Sequence, residues 1–137
     1  MASGGYIEFF DTVAVFNSII EGAEKGTVHE EWLTAIAAAA VKLGRDLHKP
    51  LRYKTWLEEA GFVDVVEKAF PVALGDWPKD PHQKTLGRHL RVDMILVAGM
   101  LKNMLLVAGW EQEKADDLVR RYQDELRTPT VFIFHPL

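Results

Sequence analysis

The stretch from Met94 to Gly109 is the most apolar in the chain, interrupted only by Lys102 and Asn103. It is shorter than the roughly 20 residues a bilayer span needs, so it reads as part of a buried helix. Asp80 suits the N-cap of that helix, Pro81 its first position, and Gln83 the closing place of a capping box. The spacing predicts one long helix to about Ala108, with an irregularity at Gly87 or Gly99. Its second half is apolar nearly all round. Such a helix must lie in a core or meet a partner surface.

The 137 residues favour one domain, long enough to bury a core without disulfide or metal staples. Formal net charge is -4, with no basic block of the kind a phosphate backbone would require, which argues against nucleic acid as a partner. The absence of cysteine removes disulfides, thiolate nucleophiles and thiolate zinc sites together, and fits an intracellular, cytoplasmic location. Met1-Ala2-Ser3-Gly4-Gly5 has no basic start followed by an apolar run, so no signal peptide is expected.

Thr27-Val28-His29-Glu30 is a second capping box. Trp32, Ile36, Ala39 and Leu43 then recur at helical spacing until Gly44. Pro50 opens another helix, with Tyr53, Trp56, Leu57 and Ala60 on one face and Gly61 at its end. A further helix is expected over 112–126. Three segments rich in β-branched and aromatic residues read as strands: 5–16, 62–74 with a break at Pro71, and the stretch ending the chain from 128. Residues 16–25 read as a loop with a helical turn.

Three motifs, in this order, resemble class I methyltransferases. Gly4-Gly5-Tyr6-Ile7-Glu8-Phe9 is similar to the start of their fifth strand. Tyr53-x-x-Trp56-Leu57-Glu58-Glu59-Ala60-Gly61-Phe62 is similar to the step from helix to sixth strand. Gly75-Asp76-Trp77-Pro78-Lys79-Asp80-Pro81, followed by Lys84-x-Leu86-Gly87, resembles the narrower fungal LaeA/UMTA-like branch, which acts in secondary metabolism. The likeness covers nearly the whole chain but only the C-terminal half of that family. The Gly-rich turn and the ribose-binding carboxylate that hold S-adenosylmethionine in the family have no counterpart, so no cofactor is expected to bind this chain alone. The resemblance implies an α/β fold, a truncated Rossmann-like arrangement. Its small mixed sheet of about three strands would place 129–136 antiparallel between 5–16 and 62–74, with flanking helices. It also leaves the 5–16 edge uncovered. An open apolar edge invites pairing, so a homodimer through that edge is expected, or a heteromer with a methyltransferase-like protein.

His89 and Asp93 are four apart and share a helix face, as a general acid–base pair would. Arg91 and Arg88 lie nearby and could polarise a carbonyl. A solvated polar face is the plainer reading. Trp77, Trp32, Tyr53 and Trp56 are candidate walls for a small apolar, polyketide- or terpenoid-like ligand, although aromatics at helical spacing are more often core. Asp11, near the end of the first strand, and His82, at a helix start, are further candidates. His29 and His48 read as surface residues, and His135 as a core histidine. No spacing suggests a metal site, a nucleophile elbow or a Walker loop. The leading expectation is a cofactor-independent cyclase or isomerase with His89, Asp93 and Arg91 as its catalytic residues. A non-catalytic partner subunit and a fragment of a longer methyltransferase are the alternatives; Met1 and the compact ending count against the fragment.

Overall fold

A computed structural model describes residues 4–12, 17–18, 25–128 and 133–136. In chain order the elements are β1 (Asn17–Ser18), α1 (Val28–Lys42), a 3-10 turn (Lys49–Arg52), α2 (Tyr53–Glu59), β2 (Pro71–Ala73), α3 (Pro81–Val107), α4 (Gln112–Arg127) and β3 (Ile133–Pro136).

The helix boundaries follow from capping chemistry. The Thr27 hydroxyl accepts from the Glu30 amide at 3.2 Å, and the Glu30 carboxylate reaches back to the Gly26 amide at 2.7 Å. Asp80 accepts from the Gln83 amide at 2.8 Å, with Pro81 behind it. The Gln83 side chain does not close the expected box; its Oε1 is buried without a partner among the described residues. Gly44 and Gly61, at φ +73° and +88°, end the first two helical segments in the left-handed region that glycine enters at least cost. The 27-residue α3 runs through both Gly87 and Gly99.

The sheet has the order β1-β3-β2, and β3 pairs antiparallel with both neighbours. The last strand does lie antiparallel between two others, as expected, but the first of these is Asn17–Ser18, in the stretch read as a loop with a helical turn, and not 5–16. Both outer strands are only two and three residues long. Residues 5–12 form no strand and are exposed, and 13–16 lie outside the described residues. Of 62–74, only Pro71–Ala73 is strand. An extended run becomes a strand only where a neighbour takes up its amides and carbonyls. For β2 that neighbour is β3, with Val72 opposite His135. The paired edge predicted for 5–16 has no strand to stand on at 5–12.

The core lies among α1, the inner face of α3, α4 and the sheet. Trp32, Ile36, Leu74, Ala98, Leu105, Leu118, Tyr122 and Ile133 meet there. Trp32 stacks on Tyr122 at 4.9 Å between centroids. His29 is not a surface residue but 2% exposed, because its ring packs 5.5 Å from that of Tyr122. From α4, Glu125 accepts from the backbone amides of Val28 and His29 at 3.2 and 2.6 Å. A side chain from the far end of the sequence thus caps α1. Arg121 grips Glu31 through two bonds of 2.7 Å, tying α4 to α1, and the Lys102–Asp116 pair at 2.7 Å ties α3 to α4. By contrast α2 buries none of its residues, and among the described elements it packs only against its own 3-10 turn.

Candidate functional site at the start of the long helix

The end of β2 is brought against α3 backbone to backbone. Leu74 donates to the Ile133 carbonyl at 2.8 Å, and the next amide, Gly75, donates to the Gly87 carbonyl at 3.1 Å. Gly75 sits at φ +126°, a conformation that L side chains rarely adopt. A Cβ on Gly87 would collide with the carbonyl oxygens of Gly75 and Ala73. The two glycines therefore permit a contact that sets the loop 75–80 over the first turns of α3.

That contact holds Asp76 above two arginines. Arg91 Nη1 donates to Asp76 Oδ1 at 3.0 Å, and Arg88 Nη2 lies 4.0 Å from Oδ2. A backbone N–H at Asp76, then the Arg91 charge, hold this carboxyl below the ordinary aspartate range. Trp77 meets the ring of Phe134 edge-on at 4.8 Å. The group offers a pinned guanidinium in Arg91, a more exposed one in Arg88, and an indole wall. Guanidinium donors of this kind bind carbonyl or carboxylate oxygens. Asp76 was not among the residues expected at a site, although its place in the Gly75–Pro81 loop was a signal for it.

The other candidates lie elsewhere. His89 and Asp93 are exposed on the far side of α3, and no hydrogen bond joins them among the described residues. His82 is exposed in the first turn, and His48 is also exposed. Trp32 is 3% exposed and belongs to the core. Asp11, Tyr53 and Trp56 form a separate group. The Tyr53 hydroxyl donates to Asp11 Oδ2 at 2.9 Å, Phe9 lies 5.2 Å from the Tyr53 ring, and Arg52 covers Trp56 at 4.7 Å. The bond to Asp11, more than burial, raises the Tyr53 pKa above its ordinary value. The side chain of His135 lies outside the described residues. An open groove of about 440 Å³ between α1 and α4, lined by Glu31, Trp110, Asp117 and Arg121 among others, contains none of the predicted site residues. Among the described residues no group of His, Asp and Glu could hold a metal ion, and no helix is long and apolar enough to cross a membrane.

The S-adenosylmethionine that the resemblance implies does not fit the described residues. Among the described residues, the Gly26 amide that precedes α1 is taken up by Glu30 at 2.7 Å, and the other strand–glycine–helix passage is β2–Gly75–α3. There the backbone approach that glycine allows is taken up by Gly87 of the helix itself. Asp76, the carboxylate after it, is engaged by arginine rather than left for ribose hydroxyls.

The chain is 28% identical over 148 residues to a probable methyltransferase, tdiE, of Emericella nidulans, a match spanning the whole chain and 44% of that protein. It is 30% identical over 118 residues to the methyltransferase pytC of Aspergillus terreus, across 81% of the chain and 35% of that protein. A shorter match, 36% over 58 residues, joins it to the secondary metabolism regulator LAE1 of Cochliobolus heterostrophus, covering 19% of that protein. The chain thus spans less than half the length of these curated relatives. No family model and no solved structure matches it.

Proposed function

Because the chain matches a C-terminal portion of fungal LaeA-like methyltransferases, we propose that it supplies the acceptor side of a methyltransferase-type protein of fungal secondary metabolism. A donor-binding portion, in the same polypeptide or in another chain, completes it. The observation that carries this reading is the shape of the match to tdiE: the whole of this chain, but only 44% of the relative. The acceptor would be a small apolar metabolite carrying a carbonyl or carboxylate. Arg88 and Arg91 supply the donors and Trp77 the apolar wall, with Asp76 fixing the arginine fork before the ligand arrives.

Calorimetry with S-adenosylmethionine, followed by a methyl-transfer assay, tests this. The chain alone should give no binding heat. Transfer to an acceptor should appear only when the part of tdiE outside the match is added. Donor binding by this chain alone overturns the reading.

A second reading keeps the chain self-sufficient, as a cofactor-independent cyclase or isomerase. What favours it is that His89 and Asp93 stand one helical turn apart, accessible, and unused by the fold. His89 would shuttle the proton and Asp93 would orient its ring, while Arg91, expected to polarise the carbonyl beside them, is held by Asp76 on the other side of α3 and is left out of this site. His89→Ala should then cut turnover by about two orders of magnitude with the fold intact. Unchanged turnover in the folded variant removes His89 from the mechanism.

A further inference from the structure

The side of α3 that carries Arg88 and Arg91 holds more positive charge than the chain sets against it. Lys84, Arg88 and Arg91 stand at i, i+4 and i+7, so they share one side of the helix. No aspartate or glutamate lies between Pro81 and Val92. Among the described residues, the ion pairs of these three cations are both made to Asp76: Arg91 at 3.0 Å, Arg88 at only 4.0 Å. Asp80, at the foot of the helix, is taken up as the N-cap by the Gln83 amide. Like charges one helical turn apart repel, and these three sit together in a chain of net charge -4. The Arg88 guanidinium is 59% exposed in its side chain and keeps donors that Asp76, at 4.0 Å, does not bond.

We propose that the ligand meets this excess, and that the acceptor is a carboxylate on an apolar body rather than a neutral carbonyl compound. The proposal rests on the reading of loop 75–80 and the start of α3 as an acceptor site, and narrows it. Gly75 shows where the apolar part lies. A Cβ at that position would stand 3.4 Å from the Trp77 ring and 4.0 Å from Arg91 Nη1, so the indole and the guanidinium border one point. A ligand laid against Trp77 therefore has its polar end beside the arginines. Asp76 occupies the Arg91 side with its own carboxylate, which leaves Arg88 for the ligand. A neutral carbonyl would accept from Arg88 but leave the charge of the face as it is. A carboxylate takes both prongs of the guanidinium fork and offsets the charge, and a charge-assisted bond of this kind is roughly twice as strong as a neutral one.

Cyclohexanecarboxylate and its methyl ester test the proposal, titrated into the chain at neutral pH while the Trp77 indole N–H is followed by NMR. Circular dichroism confirms the fold of each variant. The acid should shift that resonance saturably and bind at least about tenfold more tightly than the ester. Added salt should weaken binding of the acid alone. Arg88→Gln should bring the acid down to the affinity of the ester. Lys84→Glu keeps Arg88 but sets a carboxylate four residues before it, where the two can pair, and should remove the preference as well. That loss would not follow if Arg88 served only the fold. An ester that binds as tightly as the acid overturns the carboxylate assignment. So does the absence of binding by both, an acid preference that survives either variant, or inorganic phosphate binding as tightly as the acid. The acceptor-side reading survives a tight ester, because a neutral carbonyl satisfies it. It falls instead to S-adenosylmethionine binding by this chain, a result that leaves the ratio of acid to ester untouched.

Discussion

Trp32 and Trp56 are both tryptophans on short helices, each at a position where the hydrophobic spacing predicts an inward face. Trp32 on α1 is 3% exposed and stacked on Tyr122 of α4. Trp56 on α2 is 41% exposed, and Arg52 lies over its ring. Both helices set other apolar residues at helical spacing around the tryptophan. What separates them is coverage: α1 is locked from outside by Glu125, Arg121 and the α4 apolar face, whereas α2 meets only its own 3-10 turn and the exposed segment at Phe9 and Asp11. Periodicity tells which side of a helix is apolar, and another element, distant in sequence, decides whether that side is core.

The largest expected effect breaks this comparison directly. Trp32→Ala should cost about 3–5 kcal/mol, the range for emptying a buried tryptophan site. Trp56→Ala should cost no more than about 1 kcal/mol, the order of an exposed cation–π contact. Thermal unfolding of the two variants measures both. If the two midpoints drop equally, α2 is part of the cooperative core after all.

Gly87→Ala comes next. The new methyl would meet the carbonyl oxygens of Gly75 and Ala73. These are backbone atoms fixed by β2 and cannot swing aside as a side chain could. Overpacking of that kind costs about 1–3 kcal/mol. Gly99→Ala is the control, because nothing stands closer than the Gln123 amide nitrogen at 3.9 Å. Replacing an exposed helix glycine by alanine should stabilise α3 by roughly 0.5–1 kcal/mol. Opposite signs from two glycines of one helix would show that the strand–helix contact, and not helix propensity, sets the requirement at Gly87.

The same distinction explains how much was legible in the sequence. Thr27, Asp80, Pro81, Gly44 and Gly61 mark helix ends through bonds made within a few residues, so those boundaries could be read directly. The strands could not. Residues 5–12 and 62–73 have strand composition, but strand formation depends on a partner, and of these only Pro71–Ala73 has one. His29 looked like a polar first-turn residue, and its burial comes from Tyr122. The site was legible by halves. Arg88, Arg91 and Trp77 could be picked from their neighbourhood, but their organiser, Asp76, acts through a bond spanning 15 positions. His89 and Asp93 satisfied helical spacing, and the same spacing puts them on one face with Val92 and Leu96, away from Arg91; what it does not reveal is that this apolar face is the exposed one.

A smaller effect sharpens what holds α1 in place. Glu125 satisfies two amides that no helical bond can reach. Glu125→Ala should therefore destabilise the core by about 0.5–2 kcal/mol, as loss of a helix cap does. Glu125→Gln, which keeps an acceptor oxygen, should cost less. Equal losses from the two would place the contribution in the carboxylate charge facing the positive end of α1 rather than in the bonds.

The smallest effect returns to the two regions through their acid response. Asp76, at the strand–helix junction, is held below the ordinary aspartate value of 3.8 by a backbone N–H and then by Arg91. Asp46, leading into the 3-10 turn, is also held below it, first by the His48 amide and then by Arg52. A depressed carboxyl contributes stability that is present above its unfolded pKa and lost as pH falls through its folded pKa, so both act below about pH 4. Their side chains stand largely in water, so each contribution is small and screened by salt. The prediction concerns where each is felt. Asp76→Asn should flatten the acid limb of global unfolding, followed by the near-ultraviolet signal of the Trp32–Tyr122 stack. Asp46→Asn should leave that limb unchanged, because a segment that opens alone does not transmit its protonation to the core. An equal flattening by both would mean that the 3-10 turn and α2 unfold together with α1, α3 and α4, and the contrast between Trp32 and Trp56 would then be one of exposure only, not of cooperativity.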